Sequence, residues 1–484
     1  MLKLQPAAVW DHFEALSRIP RSSGHERAAG EYLLSVAKRH GLPWSQDAAG
    51  NTVIRVPATP GRERAAVTVL QGHTDMVCEK NSGTAHDFLK DPIVLRLEGD
   101  WVKATGTTLG ADNGIGVAMA LALLDDRGAV HGPLELLFTT DEETGLHGAN
   151  GLRPGFLKGR RLLNLDTEED GQLYVGCAGG QDTVLTLPVR REKAVPKKAF
   201  TLSATGLRGG HSGGDIHEGR GNANQILVRA LWALSGAGVA FRLVTFDGGS
   251  KRNAIPREAF VTLALDHDPA ALPKARKSLK ALQADLRAEL RGVDEGLSLA
   301  LGPGKALFPP LAATSQAKLL DLLGALPHGY VEFSRDIPGL VQTSTNFAIV
   351  ATRRTSVEVC TSQRSSLWSR LLWAARWVES VGRAAGARVT HSSAYPGWKP
   401  DLRSPILRQA QETYRRLHGT VPEPKAIHAG LECGIIGGKY PGMDMVSLGP
   451  DIRNAHSPDE AVSVPSVAKT YAYLKELLRD LSAE

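Results

Sequence analysis

The first part of the chain alternates between patterns typical of helices and of buried strands. Apolar residues recur at helical spacing over 26–40, and Trp10, Phe13 and Leu16 mark an earlier amphipathic helix. Short apolar runs predict strands at 51–56, 66–71, 134–140 and 161–166. Because strands and helices take turns, we expect an α/β fold with a mostly parallel sheet and helices on both of its faces.

The pattern changes in the middle of the chain. Residues 197–207 alternate like a strand with one exposed face, and helices are predicted at 221–235 and 269–290. Residues 253–265 resemble residues 346–359, because each segment has an Asn, an apolar run, a polar turn and an alternating strand before a helix. This repeat indicates either two related strand–helix units or a chance similarity.

An α/β pattern returns near the C-terminus. The elements expected there are a strand over 387–393, a helix over 404–417, a strand over 443–449 and a helix over 464–482. If His456 joins His73 in one site, both ends of the chain must form a single domain. We therefore expect a catalytic domain made of residues 1–186 and 386–484, with residues 187–385 inserted as an α+β lid.

Length and composition narrow the functional classes. The chain has 484 residues, with 42% hydrophobic and 22% charged residues, as expected for a globular protein of at least two domains. The net charge is only +6, and the basic clusters at 190–198 and 274–280 lack interleaved aromatic residues, so no nucleic-acid partner is expected. Four cysteines without a CxxC pair, no signal peptide and no membrane-spanning run indicate a cytoplasmic protein with no membrane partner.

Candidate chemistry is concentrated in five short segments rich in His, Asp and Glu. Most of them lie at or just beyond a predicted strand, and they contain His73 and Asp75, Asp112, Glu142 and Glu143, Asp166, and His456. Such groups are costly to bury unless they are paired or bound to metal, and α/β enzymes gather them at strand ends. Five convergent ligands beside a spare carboxylate are what two zinc ions and an activated water require.

The first two segments also have simpler interpretations. In extended chain His73 and Asp75 point to the same side, so Asp75 could orient a metal-binding imidazole; alternatively, His73 is an ordinary surface histidine. Asp112 lies among glycines that permit close backbone approach, where it could bridge two metal ions or cap the helix that follows. The buried side of that helix is expected to consist of Val117, Ala120, Leu121 and Leu124.

The remaining segments leave similar alternatives. Glu142 and Glu143 follow an apolar strand, and neighbouring side chains of extended chain point to opposite sides, so one could bind metal while the other acts as general base. A solvated acidic turn is the alternative, and spacing does not decide which glutamate has which role. Asp166 ends a strand, and Ser457-Pro458 keeps His456 in a non-helical loop.

Longer motifs resemble a known family. HTDMVCEK, GTTLGADNG, TTDEETG, LNLDTEE and AHSPDE occur in this order, together with GGHSGGDIHEGRGNAN and HAGLECGIIGGKYPGMDM. These motifs are similar to those of the aminoacyl-histidine dipeptidases, also called Xaa-His or PepD-like dipeptidases. That family belongs to the dizinc exopeptidases related to carboxypeptidase G2 and aminoacylase, and the resemblance covers nearly the whole chain.

The resemblance implies two zinc ions, for which cobalt or manganese could substitute. Asp112 would bridge both ions. His73 and Asp166 would complete one zinc site, and Glu143 and His456 would complete the other.

The resemblance also implies roles around the metals. Glu142 would be the general base, and Asp75 would orient His73. His211, in GGHSGG, would stabilise the tetrahedral oxyanion from a movable loop, unless it is simply a histidine in a flexible loop.

Three further residues are candidates for substrate binding. Asn253 would make a polar contact, and Arg364 would pair with the terminal carboxylate unless it is a solvated helix residue. Glu432 would contact the substrate amine, shape the floor of the site or serve a helix N-terminus.

The function expected from the resemblance is hydrolysis of unblocked dipeptides, especially Xaa-His dipeptides including β-alanyl-histidine. The alternatives are an N-acyl amino acid deacylase on the same scaffold and a catalytically silent metal-binding relative. The expected partners are small peptides, and a homodimer through the lid is a further expectation.

Overall fold

The computed structural model describes residues 3–265 and 268–483, and the chain divides into two compact units. The first unit contains the residues up to Gly176, Trp398–Ala426 and the residues from Leu431 onwards. The second unit contains Cys177–Gly397 and Ile427–Gly430. The divisions at 176/177 and 397/398 lie about ten residues outside the limits predicted for the insertion. The second unit also takes in a short segment near residue 428 that the sequence assigned to the catalytic domain.

The first unit is built from the two ends of the chain. Its N-terminal elements are α1 (Ala7–Ser17), α2 (Arg27–Arg39), β1 (Trp44–Gln46), β2 (Thr52–Val56), β3 (Thr68–His73), β4 (Leu95–Glu98), β5 (Trp101–Ala104), α3 (Ala111–Asp125), β6 (Leu134–Thr139), α4 (His147–Gly151), β7 (Arg161–Asn164) and β8 (Leu173–Cys177).

Eight strands of the first unit form one mixed sheet. Two of them, β20 (Pro424–Ile427) and β21 (Asp444–Ser447), come from the C-terminal part of the chain. The strand order is β1-β2-β6-β3-β7-β21-β8-β20. The four central strands β6, β3, β7 and β21 run parallel to one another. Every residue of β3 and of β6 is buried, as expected for central strands that read as continuous apolar runs. The carboxyl ends of these strands therefore lie at one edge of the sheet.

Two helices of the first unit show how well periodicity predicts burial. Trp10, Phe13 and Leu16 are all buried in α1, as their spacing predicted. In α3 the predicted face is too narrow: Met119 and Leu123 are also buried, whereas Leu124 is only half-buried. Protein covers most sides of this helix, which is why almost all of its residues are apolar and a single buried face does not describe it.

The second unit is dominated by antiparallel pairing. It contains β9 (Gly179–Pro188), β10 (Ala199–Thr205), β11 (Gly210–His211), a short 3-10 helix (Ile216–Glu218), α5 (Ala223–Gly236), β12 (Phe241–Gly248), β13 (Ala254–Ile255), β14 (Ala259–Leu265), α6 (Ala271–Glu289), β15 (Ser298–Gly304), α7 (Ala313–Ala325), β16 (Gly329–Phe333), β17 (Val341–Thr352), β18 (Ser356–Ser365), α8 (Trp368–Ala385) and β19 (Arg388–His391). Eight strands follow the order β15-β10-β14-β12-β17-β18-β9-β19, and β16 also pairs with β17.

The order of that sheet agrees with the predicted internal repeat. The strands β14 and β18 lie in equivalent places, each second from the junction between β12 and β17. A long helix follows each of them, α6 in one case and α8 in the other. The two asparagines differ, because Asn253 precedes the short β13 whereas Asn346 lies inside β17.

The C-terminal part returns to the first unit. It contributes α9 (Pro405–His418), β20 (Pro424–Ile427), α10 (Glu432–Lys439), β21 (Asp444–Ser447), β22 (Ile452–Arg453), β23 (Ala461–Ser463) and α11 (Val464–Leu481). Strands β22, β23, β5 and β4 form a small antiparallel sheet. The predicted fold class is thus confirmed: a mostly parallel α/β sheet with a separate antiparallel α+β unit. Within the described residues, no helix combines the length and apolarity needed to cross a bilayer.

Candidate metal centre

The predicted metal-binding side chains converge at the carboxyl edge of the central sheet. His73 is the last residue of β3, Asp166 follows β7 by two residues, and Glu142 and Glu143 follow β6 by three and four residues. Since β6, β3 and β7 are parallel neighbours, their ends place these groups together. Asp112 lies in the first turn of α3, and the C-terminal loop supplies His456.

The carboxylate of Asp112 divides its two oxygens between two histidines. Asp112 Oδ1 lies 3.1 Å from His73 Nε2, and Asp112 Oδ2 lies 3.1 Å from His456 Nε2. Each histidine also meets a second carboxylate: His73 Nε2 is 3.4 Å from Asp166 Oδ1, and His456 Nε2 is 3.1 Å from Glu143 Oε2. The five side chains therefore form two groups that share Asp112, and the ligand atoms of each group lie within 4.8 Å of one another.

Asp75 links His73 to the two glutamates. Its Oδ1 lies 3.2 Å from His73 Nδ1, the nitrogen that faces away from Asp112. The same carboxylate accepts the backbone N–H groups of Glu142 and Glu143, at 3.0 and 3.1 Å, and the hydroxyl of Ser23 at 2.8 Å. These interactions lower the pKa of Asp75, although burial opposes them. Asp75 is thus an ionised acceptor that fixes one imidazole and the turn after β6.

Glu142 and Glu143 take different positions in that turn. A carboxylate oxygen of each lies within 4.8 Å of a His73 ring nitrogen, but Glu143 contacts His456 and belongs to the second group. Burial raises the pKa of Glu142 well above its ordinary value; His73 opposes the shift, and the carboxylates of Asp166 and Glu143 add to it. A buried carboxylate with raised proton affinity is suited to accept a proton.

The loop before α3 is held by charged residues that the sequence analysis missed. The carboxylate of Glu460 accepts four consecutive backbone N–H groups, from Leu109 to Asp112, at 2.8–3.2 Å. On the other side, the buried guanidinium of Arg21 donates to the carbonyls of Thr74, Asp75 and Gly110. Glu460 serves the N–H groups at this helix start, while the side chain of Asp112 faces the two histidines.

The donor set fits a pair of divalent cations. Hydrogen bonds to Asp112 and Glu143 raise the pKa of His456 to about 11, and burial raises the pKa of Asp166 to about 6 against the effect of His73. The His456 shift reflects the two carboxylates that this imidazole faces. Glu143 Oε1 and Asp166 Oδ1 are buried and accept no hydrogen bond. Two cations would supply the positive charge and the partners that these oxygens lack.

His211 and Asn253 lie together in the second unit. His211 belongs to β11, which pairs with β13 so that His211 is opposite Ala254. The carbonyl of Asn253 accepts the N–H of Ser212 at 2.9 Å. The imidazole Nδ1 of His211 accepts the backbone N–H of Gly214 at 3.0 Å, so in the neutral imidazole Nε2 carries the proton.

Arg364 is buried in the second unit, not solvated on a helix. It lies in β18 and is 8% exposed. Its Nη1 is 3.5 Å from the hydroxyl of Tyr395, and its Nε is buried without a hydrogen-bond partner. His428, whose Nε2 is 2.7 Å from Ser344 Oγ, is buried nearby, and burial with the charge of Arg364 lowers its pKa to about 3.

Glu432 is the first residue of α10 and is completely buried in the first unit. Its Oε2 accepts hydrogen bonds from Gln71 Nε2 at 2.5 Å and from Thr139 Oγ1 at 2.6 Å. Of the alternatives drawn from the sequence, this position favours a role in the floor of the site over direct contact with a substrate amine.

The chain is similar to known peptidases over nearly its whole length. A sequence profile of the peptidase family M20/M25/M40 matches residues 69–480. The cytosol non-specific dipeptidase of Escherichia coli is 45% identical over 484 residues, which cover 100% of this chain and 99% of that protein. The crystal structure of the aminoacylhistidine dipeptidase from Vibrio alginolyticus is 42% identical, has a TM-score of 0.87 and covers 98% of this chain and 97% of its own.

A more distant tripeptidase structure from Staphylococcus aureus, 16% identical with a TM-score of 0.59, covers 99% of this chain and 100% of its own and shares the fold. The profile covers most of this chain, and the two relatives are similar to it over nearly its whole length. The chain belongs to peptidase family M20/M25/M40 and is a peptide hydrolase.

Proposed function

We propose that this peptidase hydrolyses unblocked dipeptides, with Xaa-His dipeptides such as β-alanyl-histidine among its substrates. The dipeptidase names of the two full-length relatives support this substrate class. The observation that carries the proposal is the division of the Asp112 oxygens between His73 and His456. One carboxylate between two histidine–carboxylate pairs is the ligand arrangement of a dinuclear peptidase centre.

Two zinc ions, or cobalt or manganese in their place, are the cofactors of this proposal. Asp112 would bridge them, with His73 and Asp166 on one ion and Glu143 and His456 on the other. When bound, the ions would act as Lewis acids and lower the pKa of an attacking water.

Glu142 is the proposed general base. It takes a proton from the attacking water and later delivers it to the leaving amine, so its carboxylate must reach both positions. Asp75 supports this role, because it holds the backbone N–H of Glu142 while it fixes the tautomer of His73. One carboxylate thereby aligns both the base and a metal-binding imidazole.

Residues of the second unit have proposed roles toward the substrate. His211 donates from Nε2 to the developing oxyanion, and Asn253 makes a polar contact. Arg364 pairs with the terminal carboxylate. Among the described residues the buried guanidinium of Arg364 forms no ion pair, which supports that assignment, since buried charges require partners.

Glu142→Gln tests the proposal most directly. The variant should bind as much zinc as the wild type, while kcat for an Xaa-His dipeptide falls by about 10²–10⁴-fold. Metal content and hydrolysis are measured on the same preparation, with Glu143→Gln as the matched variant that should lose metal. Unchanged turnover by Glu142→Gln would refute the assignment of the base.

A substrate screen separates the competing functions. Free dipeptides should be hydrolysed and N-acyl amino acids should not; the reverse would favour a deacylase, and no hydrolysis of either would favour a silent metal-binding protein. We further propose a cytoplasmic location, as in the name of the Escherichia coli relative.

We also propose a homodimer formed through the second unit. Three tryptophans of α8, Trp368, Trp373 and Trp377, are 38–46% exposed, and exposed aromatic patches of this kind mark interfaces. Sedimentation of the wild type and of Trp373→Ser with Trp377→Ser tests this: a dimer that dissociates in the variant supports the proposal, and a monomeric wild type rejects it.

A further inference from the structure

We infer that Glu432 is a positioning residue, the final acceptor in a chain of buried hydrogen bonds that runs behind the candidate metal centre. The inference rests on the proposed function for the catalytic role of the centre, whereas the hydrogen bonds themselves are observed in the structure. The chain consists of Thr139, Gln71, Asn164, Ser447 and Thr167 in addition to Glu432. All six side chains belong to the first unit and are at most 8% exposed.

The hydrogen bonds of this chain run in one direction, toward Glu432. Thr167 and Ser447 hydroxyls lie 2.5 Å apart, and Ser447 donates to Asn164 Oδ1. Asn164 Nδ2 donates to Gln71 Oε1 at 2.6 Å. Gln71 Nε2 then donates to Glu432 Oε2 at 2.5 Å, and Thr139 Oγ1 donates to the same oxygen at 2.6 Å. Hydrogen bonds aligned in this way polarise and strengthen one another.

This chain of hydrogen bonds crosses the sheet just before the strand ends that carry the candidate metal ligands. Thr139, Gln71, Asn164 and Ser447 belong to β6, β3, β7 and β21, which are adjacent in that order. In a strand, residues two apart share a face. Gln71 is therefore on the same face as His73, which it precedes by two residues. Tying these strands together side by side fixes the spacing between the ends that carry the ligands.

Asn164 precedes Asp166 by two residues, and Thr139 precedes Glu142 by three. Three strand ends supply the centre. Each of them therefore carries one residue of the hydrogen-bond chain within three residues of its candidate ligand or base.

A carboxylate is the group that suits position 432. Both of its neighbours, Gln71 and Thr139, donate to Oε2, and a carboxylate oxygen accepts both hydrogen bonds without bringing an N–H group of its own. An amide there would bring two N–H groups into a buried place where the neighbours already donate. The resulting mispairing would be transmitted along the chain to the strand ends.

The test compares Glu432→Gln with a matched control, Glu135→Gln. Glu135 is also a buried glutamate of the first unit, in β6, and accepts the N–H groups of Lys158 and Gly159. Zn²⁺ alone is titrated into the metal-free proteins in competition with a chromophoric chelator. We expect Glu432→Gln to weaken zinc binding by about 10–100-fold, the usual effect of losing a group that orients metal ligands. Glu135→Gln should bind zinc as the wild type does.

A second pair of measurements separates positioning from general destabilisation. With saturating Zn²⁺, Glu432→Gln should lower kcat for an Xaa-His dipeptide at least 10-fold while KM changes less than threefold. Exchanging the partners in the double variant Gln71→Glu with Glu432→Gln restores a carboxylate facing an amide, and should recover at least part of the lost zinc affinity. No recovery would contradict coupling through this pair.

The outcomes distinguish the inference from the proposed function. Wild-type zinc affinity and kcat in Glu432→Gln, or equal losses in Glu135→Gln, would overturn the inference. A wild-type enzyme that cleaves no dipeptide would refute the proposed function, while zinc titration would still decide the inference. If Glu432→Gln does not fold, Thr139→Val removes one donor without changing shape, and should weaken zinc binding in the same direction by a smaller factor; unchanged binding would overturn the inference.

Discussion

Buried carboxylates around the centre hold backbone as well as side chains. Asp75 accepts two N–H groups of the turn after β6, and Glu460 accepts four before and within α3. Arg21 holds the carbonyls on the other side of the same loops. The position of Asp112 thus follows from charges that do not themselves belong to either ligand group.

Glu460→Ala should destabilise the protein strongly. It leaves four N–H groups without their acceptor in a buried place, which we expect to lower the free energy of unfolding by about 2–4 kcal/mol. Urea denaturation of the metal-free protein measures the change. The neighbouring exposed Asp459 provides the control, because Asp459→Ala should change stability by less than about 0.5 kcal/mol. Equal effects of the two substitutions would contradict the role assigned to Glu460.

The buried imidazole of His428 should make the fold sensitive to acid. Burial and Arg364 lower its pKa to about 3 from the ordinary 6.5, so between these values the unfolded chain binds a proton that the folded chain does not. The contribution of His428 to the free energy of unfolding is constant above pH 6.5. Below that pH the free energy of unfolding falls by up to about 1.4 kcal/mol per pH unit as the pH drops toward 3.

Urea denaturation of metal-free wild type and His428→Gln between pH 7 and pH 4.5 measures this effect. The wild type should lose more stability in acid than the variant. Parallel curves for the two proteins would show that His428 does not titrate in this way.

At the scale of elements, the centre depends on where three parallel strands end and where one helix begins. Apolar runs predicted β3, β6 and β7, because buried parallel strands are apolar on both faces and stop at the polar residues of the site. The loop before α3 brings Asp112 to them. That loop depends on Gly110, which has a φ of +71°.

Gly110→Ala should lower the stability of the protein by more than the strained backbone conformation alone explains. A Cβ there would lie 2.5 Å from Arg21 Nη2 and 2.8 Å from Met76 Sδ. Gly155 has a similar φ of +88° but no atom within 4 Å of such a Cβ. We expect Gly155→Ala to destabilise by about 1 kcal/mol and Gly110→Ala by about 3 kcal/mol, from strain plus collision. Thermal or urea denaturation with equal losses would contradict the steric argument.

Other features of these elements could not be predicted from sequence patterns. Periodicity assigned one buried face to α3, but covering elements from distant parts of the chain bury most of it. Glu460 and Arg21 act on backbone groups that carry no residue-specific signal, and Glu460 is about 350 residues from its partners. The roles of Glu142 and Glu143 required the family resemblance, since spacing leaves them equivalent and only the fold brings Glu143 against His456.

At the scale of the whole molecule, the chain closes the first unit by joining its two ends. The sheet takes β21 from the C-terminal part and pairs it with β7, and His456 reaches Asp112 across 344 positions of sequence. The second unit consists of a long inserted segment, Cys177–Gly397, and the short segment Ile427–Gly430, and it carries His211, Asn253 and Arg364. The sequence analysis predicted a domain made from both ends of the chain because the proposed centre takes candidate ligands from each end.

Metal stoichiometry tests the central claim, that side chains from both ends of the chain hold two cations. Elemental analysis of zinc-loaded protein after gel filtration should give two ions per chain for the wild type and about one for His456→Ala. His418→Ala replaces another exposed histidine of the first unit and should retain two. A single ion in the wild type, or two ions in His456→Ala, would contradict the account.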